Sequence, residues 1–192
     1  MPPGGETPPL RVLTMKFDPK IHHRCSIRLN GYDYTQAGAY FVTVVTQARE
    51  SLFGEVAGGE MRLNRYGEIV LKWWDAIPEH FPNVETDAFV IMPNHVHGII
   101  MIGDDRRGTG TVPQGGEIPP LRKPTLGQIV AYFKYQSTKE INAMKGGPVT
   151  RLWQRNYYEH IIRNQQDLEL TWLYVESNPA QWETDNENPA KH

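Results

Sequence analysis

Phe89-Val90-Ile91-Met92-Pro93-Asn94-His95-Val96-His97-Gly98-Ile99-Ile100 sets two histidines one residue apart inside a run of apolar side chains. The apolar stretches on either side of the turn-forming pair Pro93-Asn94 read as two strands, Thr86–Met92 and His95–Ile102, closed into an antiparallel hairpin. Side chains alternate along a strand, so His95 and His97 project from one face and Val96 from the other. Two imidazoles then converge and can fill two positions around a metal ion. Two alternating histidines alone are more often a polar sheet face or a chance pairing. Here the apolar flanks bury them, and buried ring nitrogens need partners, which a metal with its supporting hydrogen bonds supplies.

Working outward, Ala39–Val45 is a short aromatic and β-branched run, as expected of a strand buried on both faces. From Tyr66 to about Phe81, Ile69, Val70, Trp73, Trp74 and Ile77 recur at helical spacing. Residues 103–124 read as a long loop rich in Gly and Pro. Thr125 can cap a helix that runs to about Met144, and Gly146-Gly147-Pro148 stops it. A strand at Tyr157–Ile162 and a helix at Gln165–Asn178, ended by Pro179, complete the pattern. The order predicts an α+β fold, a ferredoxin-like or RRM-like sandwich whose small antiparallel sheet carries the His-x-His strand with helices packed on it. Residues 1–23 are expected to be a flexible arm, 24–182 a single domain and 183–192 a frayed acidic tail. Gly-Gly-Glu-Thr-Pro-Pro-Leu-Arg at 4–11 is nearly repeated at 115–122. Two short, distant copies cannot form a solenoid, and we have no physical account of them.

A chain of 192 residues with 39% hydrophobic and 22% charged residues suits one globular domain. The single cysteine, Cys25, excludes an internal disulfide framework and a cysteine-rich metal site. No apolar run nears the roughly 18 residues of a membrane span, and no signal-peptide stretch is present, so a cytoplasmic location is expected. The net charge of −2 argues against an indiscriminate polyanion binder. It conceals a local bias: residues 121–164 hold Arg122, Lys123, Lys134, Lys139, Lys145, Arg151, Arg155 and Arg163 against only Glu140 and Glu159. These cations, excepting Lys145, are candidate phosphate contacts together with Tyr157. The alternative is solvated charge on a helix and its loops.

Met92-Pro93-Asn94-His95-Val96-His97 resembles the histidine-hydrophobe-histidine motif of HUH enzymes, in the form found in the transposase-17 group. Leu152-Trp153-Gln154-Arg155-Asn156-Tyr157-Tyr158-Glu159-His160-Ile161-Ile162-Arg163-Asn164 is similar to a segment of REP-associated tyrosine transposases, single-tyrosine members of that group. The resemblance spans about Arg24 to Trp182 and omits the arm and the acidic tail.

In the last helix Tyr174 and Asn178 lie four apart and share a face, near Asp167 and Thr171, while Leu168, Trp172 and Val175 form an adjacent apolar stripe expected to hold the helix against the core. By the residues alone, the better reading makes Tyr174 an ordinary amphipathic tyrosine and Asn178 a helix terminator before proline. The resemblance implies more: Tyr174 as nucleophile, and Asn178 as the third ligand with His95 and His97 to Mg²⁺ or Mn²⁺. It implies a nucleoid-associated bacterial enzyme that cuts and rejoins single-stranded or hairpin DNA of the REP palindrome kind through a 5′-phosphotyrosine. Whether it works as a monomer or a homodimer stays open. Tyr157-Tyr158, Tyr132 and Tyr135 are rival nucleophiles, and His160 reads as structural. Rival functions are a non-catalytic hairpin-binding module of the same fold and a metal-dependent hydrolase that uses water.

Overall fold

The computed structural model describes residues 32–104 and 123–189. The N-terminal arm, Cys25, Arg122, most of the 103–124 segment and both copies of the repeated octapeptide lie outside the described residues.

Four strands form the main sheet: β1 (Gly38–Val45), β4 (Val84–Ile91), β5 (His95–Ile102) and β6 (Tyr158–Ile162), in the order β4-β5-β1-β6 with every pair antiparallel. With helix α1 (Arg65–Asp75) between β1 and β4, and α3 (Leu126–Lys145) between β5 and β6, the order is that of a β-α-β-β-α-β ferredoxin-like sandwich. A second hairpin, β2 (Gly54–Ala57) and β3 (Glu60–Leu63), is inserted after β1. Its turn is Gly58-Gly59 with φ of 64° and 80°, the left-handed pair that a two-residue hairpin turn requires. Val56, Met61 and Leu63 alternate with Glu55, Glu60 and Arg62, but four residues per strand are too few for the alternation to stand out from a loop.

The helix expected over 66–81 is two helices. α1 is capped by the Asn64 side chain, which accepts from the N–H groups of Tyr66 and Gly67, and it ends at Ala76; α2 (Ile77–His80) follows. Pro78 has no N–H to bond back to Trp74, so the hydrogen-bond ladder cannot run through. α3 begins with a complete capping box: Thr125 Oγ1 accepts from the Gln128 N–H and the Gln128 side chain accepts from the Thr125 N–H.

The two sheet faces are covered differently. Tyr40, Val42, Val44, Val96 and Ile100 face α1 and α3 and form one core with Ile69, Val70, Trp74, Ile129 and Phe133. Gly98 makes this packing possible, because a Cβ there would lie 2.4 Å from the Trp74 ring. Helix α4 (Gln165–Ser177) crosses the opposite face, where Val175 packs with Phe41 and Ile99, and Leu168 packs at the margin. Trp172 does not join that contact. It is half exposed and donates its indole N–H to Asp87 Oδ2 at 3.0 Å.

The expectation of a frayed tail fails as far as residue 188. A 3₁₀ turn (Pro179–Thr184) leads the chain back across the end of the sheet. There Arg49 Nη1 meets Glu187 Oε2 at 2.8 Å, Asn94 Nδ2 donates to the Glu187 carbonyl at 2.7 Å, and Asn188 is buried. Hydrogen bonds to the core, which the composition of an acidic segment does not reveal, hold it there.

Candidate active site

His95 and His97 lie on the α4 side of β5, with Thr43 of β1 directly across from His97. Both rings are buried, at 0% and 3% exposure, and their Nε2 atoms face each other at 2.9 Å. The far side of each ring is held. Thr43 Oγ1 is 2.8 Å from His97 Nδ1, and Asn94 Oδ1 is 2.8 Å from His95 Nδ1. The Asn94 amide orientation is fixed by its own Nδ2, which donates to the Arg49 and Glu187 carbonyls. Its oxygen can only accept, so His95 Nδ1 carries the proton and His95 Nε2 presents a lone pair to His97.

Burial pushes the His95 pKa down to about 4; the nearby Asp185 opposes that fall and Arg49 adds to it. Burial, then the neighbouring His95, holds His97 well below its ordinary value. Both rings are therefore neutral at physiological pH, the form that binds metals.

Asp185 completes a potential ligand set. Its carboxylate is 4.0 Å from His95 Nε2, and one ligand atom from each of His95, His97 and Asp185 fits within 4.8 Å of the others. With His95 Nε2 an acceptor, the 2.9 Å contact is closed by an N–H of His97 or, where His97 carries its proton on Nδ1 towards Thr43, by a cation between or beside the two nitrogens. A proton serves, and so does a small divalent ion, whose bonds to imidazole nitrogen are about 2.1 Å. Asn178 Oδ1 is buried with no hydrogen-bond partner among the described residues, an acceptor left over in a polar site. Two imidazoles, a carboxylate and a carboxamide oxygen, without sulfur, match a hard or borderline divalent ion.

Tyr174 reaches this centre from α4. Its hydroxyl is 3.4 Å from His97 Nε2, and its ring packs edge-on against Phe41. Burial raises its pKa to about 12 and Asp185 adds to the rise, while a side-chain hydrogen bond from Asn178 favours the phenolate. The ring remains 43% exposed, so one side of it is open to a substrate. The other tyrosines are placed differently. Tyr132 stacks flat on His80 at 4.0 Å and Tyr135 is exposed on α3, both in the layer across the sheet from the histidines. Tyr157 packs against the main core, and Tyr158 is exposed on β6. His160 is paired with Asp167 at 3.1 Å, in keeping with a structural role.

The basic residues do not gather around the histidines. Lys134 and Lys139 belong to α3, across the sheet. The Lys134 ammonium is turned inward onto the carbonyls of Gln154, Arg155 and Asn156 at 2.6, 3.2 and 3.4 Å, which uses all three of its donors. Burial, with the Arg151 charge, lowers its pKa to about 8. Lys123 pairs with Asp104 at 3.2 Å. Arg151, Arg155 and Arg163 are exposed. Trp153, in the segment that carries the resemblance, is core: it is 2% exposed and its indole N–H bonds to Ser137 Oγ. Sequence reasoning missed Asp185 and Arg49. Neither carries a motif, and Asp185 lay in a tail set aside for its composition.

No protein-family model matches the chain. An uncharacterized protein of Haemophilus influenzae is 41% identical over 177 residues, covering 90% of this chain and 97% of that one, and the two belong to one family. A second H. influenzae protein, described as a putative REP-associated tyrosine transposase, is 27% identical over 157 residues, covering 77% of this chain and 73% of that one. The fold also matches the structure of a REP-associated tyrosine transposase bound to a REP hairpin, with a TM-score of 0.54 and 21% identity over 80% of this chain and 73% of that one. The chain is a relative of the REP-associated tyrosine transposases. The His-x-His pair lies on an internal strand of the four-stranded antiparallel sheet. Among the described residues no helix is long and apolar enough to cross a membrane.

Proposed function

We propose that this protein is a metal-dependent enzyme that cuts and rejoins single-stranded DNA at hairpins, with Tyr174 as nucleophile. The observation that carries this reading is the approach of the Tyr174 hydroxyl to 3.4 Å from His97 Nε2, at the edge of a centre made by two neutral, oriented imidazoles and Asp185. A tyrosine there would attack the phosphorus held at that centre. The Tyr174 Oη–P bond forms as the P–O3′ bond breaks, the phenol gives up its proton, and the departing 3′ oxygen gains one. The product is a 5′-phosphotyrosine and a free 3′-hydroxyl. Because the phosphodiester energy is kept in the covalent link, attack by a 3′-hydroxyl reverses the step and joins strands.

His95, His97 and Asp185 would hold the ion, Mg²⁺ or Mn²⁺, with Asn178 Oδ1 as a further donor. A divalent ion bound there would polarise the phosphate and offset the charge that builds on it. The chain's own residues do the rest. Asn94 and Thr43 lock the two rings, Asn178 favours the phenolate, and Phe41 and His97 fix the Tyr174 ring. The preference for hairpins is carried over from the structural neighbour, which was seen bound to a REP hairpin.

The test is incubation with end-labelled hairpin DNA and Mn²⁺, with denaturing electrophoresis of wild type, Tyr174→Phe and His95→Ala. A covalent adduct in wild type that both variants lose is the expected result. An adduct that persists in Tyr174→Phe would move the nucleophile to Tyr158, the other exposed tyrosine near the site. Hairpin binding with no adduct in wild type would make the protein a binding module.

A further inference from the structure

Arg49 lies outside the basic stretch of the sequence, yet it is the cation beside the histidine centre. It follows β1 at the end of the sheet where Val45 pairs with His95. Ala48 and Arg49 both adopt the left-handed region, with φ of 56° and 57°. Two consecutive non-glycine residues in that region are strained, and strain of this kind persists only where the surroundings impose it. Here the Gln47 N–H bonds the Leu152 carbonyl at 2.7 Å, the Arg49 N–H bonds the Thr46 carbonyl at 3.2 Å, and Thr46 Oγ1 bonds the Glu50 carbonyl at 2.8 Å.

The strain aims the guanidinium. One Asn94 carboxamide accepts from His95 Nδ1 and donates to the Arg49 carbonyl, so the two residues are placed by a single group. Arg49 Nη1 donates to the Asn186 carbonyl at 3.1 Å and meets Glu187 Oε2 at 2.8 Å. Among the described residues, Nε and Nη2 make no bond, and the side chain is 40% exposed. An ion pair that open to solvent stabilises little, and is a weak reason to keep two residues strained. A guanidinium anchored through one nitrogen and partly open to solvent keeps donors for a phosphate.

We propose that Arg49 is a phosphate-binding residue of this site, taking a backbone phosphate of single-stranded DNA next to the scissile one, while Glu187 and Asn186 orient its guanidinium. The inference rests on the reading of the centre as a DNA-cleaving site.

Salt-dependent binding of the full-length protein to a fluorescein-labelled hairpin oligodeoxynucleotide with a single-stranded 5′ flank tests it. Arg49→Gln is expected to weaken binding about tenfold at low salt and to flatten the slope of log K against log salt by about 0.7, the value for one contact to a single strand. Arg49→Lys should restore the slope but only part of the affinity, since an ammonium keeps the charge and loses the fork. Glu187→Gln keeps the cation and should keep the slope. If Arg49→Gln leaves the slope unchanged, or Glu187→Gln reproduces its loss, Arg49 only fastens the C-terminal segment and the proposal is overturned. An Arg49-dependent slope without a phosphotyrosine adduct would sink the strand-cleavage reading and leave Arg49 as a phosphate contact of a binding site. Adduct formation with an Arg49-independent slope would do the reverse, and no hairpin binding by wild type would overturn both.

Discussion

On one face of the sheet, Tyr40, Val42, Val44 and Ile100 lie beneath two helices in a core of buried aliphatic and aromatic side chains; on the other, Phe41, Ile99 and Val175 form a cluster of three beside His95 and His97. The strands are the same, and alternation sends neighbouring residues to opposite fates. The densely packed face supplies the apolar burial that holds the fold. The thinly covered face can therefore place neutral imidazoles, a phenol, a carboxylate and an unbonded amide oxygen together without having to carry the stability of the domain. The exposed apolar residues of α4, Leu170 and Leu173 at 59% and 62%, belong to that lightly held side.

If the division is real, stability and chemistry separate on substitution. Trp74 is 2% exposed and stacks flat on Phe89 at 4.2 Å, filling the space that Gly98 leaves open. Trp74→Ala should cost about 3–5 kcal/mol, the range for removing a buried aromatic, read as a lower midpoint in urea unfolding. Tyr174→Phe, on the other face, should leave that midpoint nearly unmoved while abolishing the adduct. Equal destabilisation by the two would show that α4 carries as much of the fold as α1 and α3, and the comparison would break.

Acid sharpens the same contrast. In protein stripped of metal by a chelator, the folded state refuses protons at His95, whose pKa is pushed down to about 4 by burial, while the unfolded chain takes them near the ordinary value of 6.5. The folded pKa is depressed, so the stability His95 contributes is fully present above pH 6.5 and is lost as pH falls towards 4, with His97 adding loss in the same direction. Thermal midpoints measured from pH 7 to 4 should fall in wild type and fall less in His95→Gln. Parallel curves would mean that the histidine face is wetter than its burial indicates.

How much of this was legible beforehand follows from where each signal lies. β1, β4, β5 and α3 were readable because local periodicity and caps specify them, and the alternation of His95 and His97 places both rings on one face with no tertiary information. Tyr174 came from a motif and from a helix register. What escaped depends on distant contacts. Asp185 meets His95 across 90 residues of sequence. Lys134 looks like a free cation until the carbonyls of 154–156 close over it. Nothing local marks Trp153 as core, and its N–H finds Ser137 sixteen residues away. The hairpin β2–β3 alternates over only four residues a strand, too short a pattern to read as strand before Met61 and Leu63 are seen packed on the core. α4 was foreseen as a helix, but with Trp172 on its buried side; only the packed structure shows Trp172 tied to Asp87 instead.

The smallest expected effect on stability tests whether the thin face is held with care or merely loosely. Asp167, in the first turn of α4, receives His160 Nε2 of β6 at 3.1 Å and the Arg163 N–H at 3.1 Å. Burial alone would raise its carboxyl, but the Arg163 N–H, the His160 side chain and the Arg163 charge hold it below its usual value. Tyr174 stands seven residues further on, about two helical turns and roughly 10 Å along the axis, so a small swing at Asp167 moves the phenol against His97. The pair is partly open, with side chains 37% and 25% exposed, so Asp167→Asn should cost under about 1 kcal/mol. The rate of adduct formation at saturating hairpin should nonetheless drop several-fold with hairpin affinity unchanged, because binding does not need the helix in register and attack does. A variant that loses affinity and rate together would make the pair part of the DNA-binding surface. One that loses neither would mean that Val175 and Phe41 are enough to seat α4.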